Sequence, residues 1–202
     1  MPICVICVLF DNQPQIPLEP EESQELSAFD DLTLIQLVVE RGVEAIKALP
    51  PSIRDNKQTV AETIENNLRK VIIDESPINP KYYENMSDLL DELIQARKAQ
   101  ALAYEQYLAQ IVELSKQVAN PEQSQRYPQS LNSPALRALY DNLGENEELA
   151  LSLDYHIRST KRDGWRGHRI KERQVRYAIR QDLPDAEEAE RIFELVKKQD
   201  EY

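Results

Sequence analysis

Apolar residues recur along most of this chain at spacings of three and four, the period of a helix face and not the alternation of a strand. The longest such stripe lies between Asn79 and Val118. It carries Met86, Leu90, Leu93, Ala101, Tyr104, Leu108, Ile111 and Val118, with no proline or glycine between Pro80 and Pro121. Asn79 can cap a helix, and Pro80 suits a first turn, where a missing N–H costs nothing. The pattern predicts one continuous helix over 79–118, about 60 Å long at ~1.5 Å per residue. Only Ser87-Asp88 offers an internal cap. Arg97 and Ser115 fall on the stripe where a strict coiled coil would place apolar residues, so the helix is expected to sit in a bundle with several neighbours.

Shorter stripes flank it. Leu32, Ile35, Val38, Val39, Val43, Ile46 and Leu49 predict a helix from about Asp31, stopped by Pro50-Pro51. A second starts near Asp55-Asn56, with Val60, Ile64, Leu68, Val71 and Ile72 on one face, and ends before Pro77. The polar stretch 119–132, rich in Gln, Asn, Ser and Pro, reads as a surface loop and an internal sub-boundary. Ser133-Pro134 then reopens a helix with Leu136, Leu139, Tyr140 and Leu143 inward, and Asn146 caps another carrying Leu149, Leu153 and Ile157. The turn Asp163–His168 precedes a helix with Val175, Ala178 and Ile179. Pro184-Asp185 opens a last one with Ala189, Ile192, Phe193 and Val196. The expected fold is all-α: an irregular bundle of about six or seven helices around the long one. Residues 31–202 form the helical domain. Residues 1–30 are a separate flexible segment, an apolar run (MPICVICVLF) followed by a proline-rich acidic linker over 11–25.

Composition narrows the chemistry. Four glycines in 202 residues argue against an all-β protein, and Gly42, Gly144, Gly164 and Gly167 cannot supply the close spacing of a phosphate-binding loop. The apolar start is about ten residues long and lacks a basic lead, too short to span a bilayer. No membrane association and a cytoplasmic, reducing setting are expected. Cys4-x-x-Cys7 has a zinc-ligand spacing, but His156 and His168 are far off in sequence, so the favoured reading is an apolar segment that happens to carry two thiols. Asp55-Asn56-Lys57 has the acid-x-lysine spacing of a metal-dependent nuclease but stands where a helix cap belongs. His156, beside an apolar stripe, reads as a packing residue. Catalytic residues, metal and cofactor are all expected to be absent, and the isolated chain is not expected to be an enzyme.

Charge changes the picture locally. The chain holds 36 acidic and 24 basic residues, net −12. Residues 1–31 contain Asp11, Glu19, Glu21, Glu22, Glu25, Asp30 and Asp31 without a single Lys or Arg. Residues 158–180 reverse this: Arg158, Lys161, Arg162, Arg166, Arg169, Lys171, Arg173, Arg176 and Arg180 stand against Asp163 and Glu172, with Trp165 and Tyr177 among them. Guanidinium groups beside aromatics suit phosphate contacts, stacking or a protein interface. A solvated face, or bases paired with the acidic tail over 181–202, is the plain alternative. Trp165, in a glycine-flanked turn, is expected to pack partly on neighbouring helices while Arg162, Arg166 and Arg169 face outward as a contact surface.

Four stretches in the same order resemble one family. ETIENNLRKVIIDESPINPKYYENMSDLLDELIQARKAQALAYEQYLAQIVELSKQV (Glu62–Val118) is similar to the C-terminal helical region of the restriction subunit of type I restriction–modification enzymes. So are SPALRALYDNL (Ser133–Leu143), the Trp165-Arg166 turn with Lys171-Glu172, and ERIFELVKKQDEY (Glu190–Tyr202). The resemblance spans roughly residues 33–202 and leaves out 1–30; Gly164 departs from it as an insertion before Trp165. It implies docking onto the modification (methyltransferase) and specificity subunits, or onto the remainder of a split restriction subunit. The family's nuclease and ATP-driven motor motifs have no counterpart here, so the chain reads as a truncated or split subunit that keeps its assembly module. Contact of the basic segment with a DNA backbone is the second expectation.

Overall fold

Local capping sets most of the helix starts. The computed structural model describes residues 31–123 and 127–202, with side chains from residue 34 onward. The expectations for residues 1–30, including flexibility and the roles of Cys4 and Cys7, lie outside the described residues. Among those described, nine α-helices follow one another: α1 Asp31–Arg41, α2 Pro51–Arg54, α3 Lys57–Glu75, α4 Pro80–Lys98, α5 Tyr104–Ala119, α6 Pro134–Asn142, α7 Glu147–Thr160, α8 Arg169–Asp182 and α9 Ala186–Lys197. The fold is all-helical. Side-chain caps at Asn56, Asn79, Ser133, Asn146 and Asp185 each accept hydrogen bonds from backbone N–H groups of the following turn. Asn56 thus caps a helix, as expected for the Asp55-Asn56-Lys57 group.

Two predicted elements are corrected. The single helix over 79–118 is two helices, α4 and α5, packed as a hairpin. The chain does not break at Ser87-Asp88, which lie inside α4. It breaks at Ala99–Ala103, where Gln100 takes a left-handed conformation (φ 54°). Gln100 N–H donates to the Arg97 carbonyl and Ala101 N–H to the Ala96 carbonyl, both at 3.0 Å. That pair of bonds is a Schellman turn with glutamine in the position usually taken by glycine. The first helix also stops early. α1 ends at Arg41, Gly42 turns left-handed (φ 58°), and residues 42–48 continue as a 3₁₀ helix. Val43 leaves the predicted stripe and is exposed, while Ala45 and Leu49 are buried.

The apolar side chains form two clusters, one from residues up to Val118 and one from Ala135 onward. Residues from Leu34 to Val118 make the first, around Ile64, Leu68, Leu90, Tyr107 and Ile111. Residues from Ala135 to Tyr202 make the second, around Leu139, Leu153, Val175, Ile192 and Phe193. Arg97, which broke the stripe, gives Nε and Nη2 to the two oxygens of buried Glu65 at 2.8 and 3.0 Å; the Tyr107 hydroxyl donates to Glu65 Oε1 at 2.8 Å. A charge in the core is tolerable because each polar atom of the carboxylate is answered. Ser115 answers its own burial by donating to the Ile111 carbonyl one turn back.

A polar seam joins the clusters. Asn79, the cap of α4, donates to Asp141 Oδ2 at 2.7 Å and accepts from Asn142 Nδ2 at 2.9 Å. The Tyr127 hydroxyl reaches the same Asp141 oxygen at 2.6 Å. Arg191 of α9 donates to the Asn142 carbonyl at 2.8 Å, and Gln199 Nε2 to the Ile78 carbonyl at 2.7 Å. The seam is therefore built on residues at the start of α4 and the end of α6, both fixed by helix termini.

Candidate functional site

The basic segment occupies the end of α7, the 161–168 turn and α8. These two helices pack side by side as an antiparallel hairpin, with Leu153 and Ile157 of α7 and Val175 and Ile179 of α8 in the second cluster. Each turn of α8 therefore points residues such as Arg169, Arg173, Tyr177 and Arg180 away from the core.

More than half of the segment's bases are engaged internally. Arg158 Nε donates to both oxygens of Asp154 at 2.8 and 2.9 Å, and its Nη2 lies 3.3 Å from Glu201. Lys161 Nζ donates to the Glu201 carbonyl at 3.0 Å, and Lys171 Nζ to the Asp163 carbonyl at 2.6 Å. Arg166 Nε donates to the Lys197 carbonyl at 2.9 Å, and its Nη2 to the Gln199 carbonyl. Arg176 pairs with Glu190 at 3.0 Å and with Glu172 at 3.4 Å, its guanidinium 3.7 Å from the centre of the Phe193 ring. Glu172 also accepts from the Gly167 N–H at 2.8 Å. That backbone bond, with Lys197 and Arg176 nearby, holds its carboxyl below the ordinary range.

Trp165 is corrected as a contact residue. It is 2 % exposed, packs edge-on against Phe193 with ring centres 5.9 Å apart, and donates its indole N–H to the Tyr202 carbonyl at 2.9 Å. Arg166 stays exposed, as expected, but its guanidinium is engaged internally: it lies over the Trp165 ring and donates to carbonyls at the end of α9. Arginines are unusual company for a buried indole. They suit it here because the carbonyls after α9 are orphaned acceptors that need donors.

Four arginines remain: Arg162, Arg169, Arg173 and Arg180 are exposed, with no side-chain hydrogen bond or ion pair to another described residue. Arg162 and Arg173 line one cleft with Ser159, Thr160, Gln174, Tyr177, Ala178 and Gln181. Arg173 also lines a second, with Gly167, His168, Arg169, Ile170 and Arg176. Neither lining contains an Asp or Glu. Ile170 and Tyr177, 59 % and 67 % exposed, supply apolar surface along the same helix. Of the nine residues expected to form one contact surface, the fold brings Arg162, Arg169 and Arg173 together and diverts the other six inward or to internal partners. Arg180, not among those nine, is likewise exposed on α8 but lines neither cleft.

The expected packing role of His156 is met by a polar contact: Nδ1 lies 2.6 Å from Asp182 Oδ2, and Ser152 donates to the other oxygen of Asp182 at 3.2 Å. His168 caps α8. Among the described residues no group of three His, Cys, Asp or Glu side chains is placed to hold a metal, and no helix is long and apolar enough to cross a membrane.

One surface escaped the sequence reading. The α4–α5 hairpin opens a cleft of about 530 Å³, lined by Leu89, Leu93, Ala96, Ala101, Leu102 and Leu114, with Glu92, Gln110, Glu113 and Gln117 at its polar margin. Leu89 is 45 % exposed. The available signal was a leucine off the phase of its own stripe, next to Leu90. The cleft exists because the break at residues 99–103 folds one predicted helix back on itself. Compared with protein-family models, curated proteins and solved structures, the chain matches none of them.

Proposed function

We infer that this chain is a protein-docking module, and that its partners are the modification and specificity subunits of a type I restriction–modification complex or the remainder of a split restriction subunit. The observation that carries the reading is the α4–α5 cleft. The longest stretch resembling the type I restriction subunit, Glu62–Val118, contains every residue of that lining. An apolar groove between two helices, with polar groups at the margin, is the form in which an amphipathic helix from a partner is received. Leu89, Leu93 and Leu102 supply its apolar floor and wall. On this reading the chain acts in the cytoplasm by binding and not by turnover.

The test is copurification of the chain with the modification and specificity subunits, alongside a Leu89→Glu variant. Leu89 is half exposed, so the glutamate is tolerated by the fold, while a charge in the groove removes the partner. Loss of copurification by about tenfold or more at an unchanged melting temperature is the expected result. A well-folded wild-type chain that fails to bind these subunits at micromolar concentration overturns the reading.

A further inference from the structure

We propose that the trough along α8 binds the phosphate backbone of single-stranded nucleic acid, with Tyr177 as a stacking platform for an unpaired base. Three observations carry this. First, the fold sorts its own bases: five of the segment are bound to internal acids or carbonyls, while Arg162, Arg169, Arg173 and Arg180 are left to solvent. Second, the two clefts that meet at Arg173 have linings free of acids, in a chain with 36 acidic residues and a net charge of −12. An acid-free lining amid so many carboxylates favours an anion, and the Thr160 hydroxyl and Gln174 amide offer donors for phosphate oxygens. Third, Arg169, Arg173, Tyr177 and Arg180 stand four, four and three residues apart, one face of α8 extending about 16 Å.

That length selects the ligand. It spans a few nucleotides, too short for the broad basic face that a duplex engages, and the acidic balance of the remaining surface opposes a rod of dense charge. A single strand bends into a narrow trough and presents unstacked bases. Tyr177 offers them an exposed ring flanked by guanidinium groups, the combination that single-strand grooves use. A carboxylate-rich protein segment would be drawn by the same charges but would not use the ring. The site is separate from the α4–α5 cleft and does not rest on the docking reading.

Fluorescence anisotropy of the whole chain with a labelled oligothymidine of about a dozen residues tests it. With four arginines at phosphates, affinity should fall about 50-fold between roughly 50 and 200 mM salt. Arg173→Ala should weaken binding and lower the slope of log affinity against log salt by about 0.7, whereas Tyr177→Ala should weaken it about tenfold with the slope unchanged. Both side chains are exposed, and melting temperatures of the variants should match the wild type. Arg54→Ala, far from the trough in sequence and on another helix, should bind normally, as should Leu89→Glu. No binding at 50 mM salt overturns the proposal. So does equal affinity for polyglutamate, tighter binding of duplex, or a Tyr177→Ala variant that binds like wild type.

Discussion

Trp165 shows how a single side chain is assigned by the donors around it. Its ring meets Phe193 edge-on, its N–H is taken by the Tyr202 carbonyl, and Arg166 covers its outer face while closing the turn after α9. Tyr202 completes the arrangement, its hydroxyl donating to Asp154 at 2.6 Å; burial and that contact push its pKa far above the usual tyrosine value. Trp165→Ala therefore opens a cavity against Phe193 and strands a carbonyl. The expected cost is about 3 kcal/mol or more of unfolding free energy, read by urea titration, with partner binding by the folded fraction unchanged. Normal stability with lost binding would return Trp165 to an interface. The sequence placed this residue in a turn between helices but could not show that the acceptor for its N–H lies 37 residues further on.

Among elements, legibility followed the punctuation. Starts marked by Asn56, Asn79, Ser133, Asn146 and Asp185 were readable because a capping side chain is a local signal. The α4–α5 turn was invisible for the converse reason: a Schellman turn usually announces itself with glycine, and here Gln100 holds the left-handed position. Apolar residues continue in phase across the break through Ala101 and Tyr104. At Gly42 the glycine was present, yet Val43 and Ile46 kept the helical period and masked the stop. A left-handed conformation costs a non-glycine residue roughly 1–2 kcal/mol. Gln100 is exposed and its side chain makes no hydrogen bond to another described residue. Gln100→Gly should thus stabilise the chain by about 1 kcal/mol in a denaturant titration, despite the extra backbone entropy of glycine. A destabilised variant would mean that the turn is not strained at this residue.

At the scale of the molecule, two apolar clusters are held together by polar groups that no periodicity could have paired. Asn79 and Asp141 are 62 residues apart in sequence and meet only because one caps α4 and the other closes α6. Asn79 serves both structures at once: its Oδ1 takes the Tyr82 N–H and an Asn142 amide hydrogen, while its Nδ2 goes to Asp141. Asn79→Ala removes the cap, worth about 1 kcal/mol, and leaves buried polar atoms of Asp141 and Asn142 without that partner, worth about 1–3 kcal/mol more. A loss limited to the cap would lower stability by the smaller figure and loosen only the first turn of α4. If the seam couples the two clusters, the cost is about 2 kcal/mol or more. Amide exchange then rises in α6 and α9 as well as in α4, because Arg191 and Gln199 lean on the same junction. Hydrogen exchange on this one variant separates the cases: faster exchange confined to the start of α4 would show that the clusters are stable independently and that the seam only orients them.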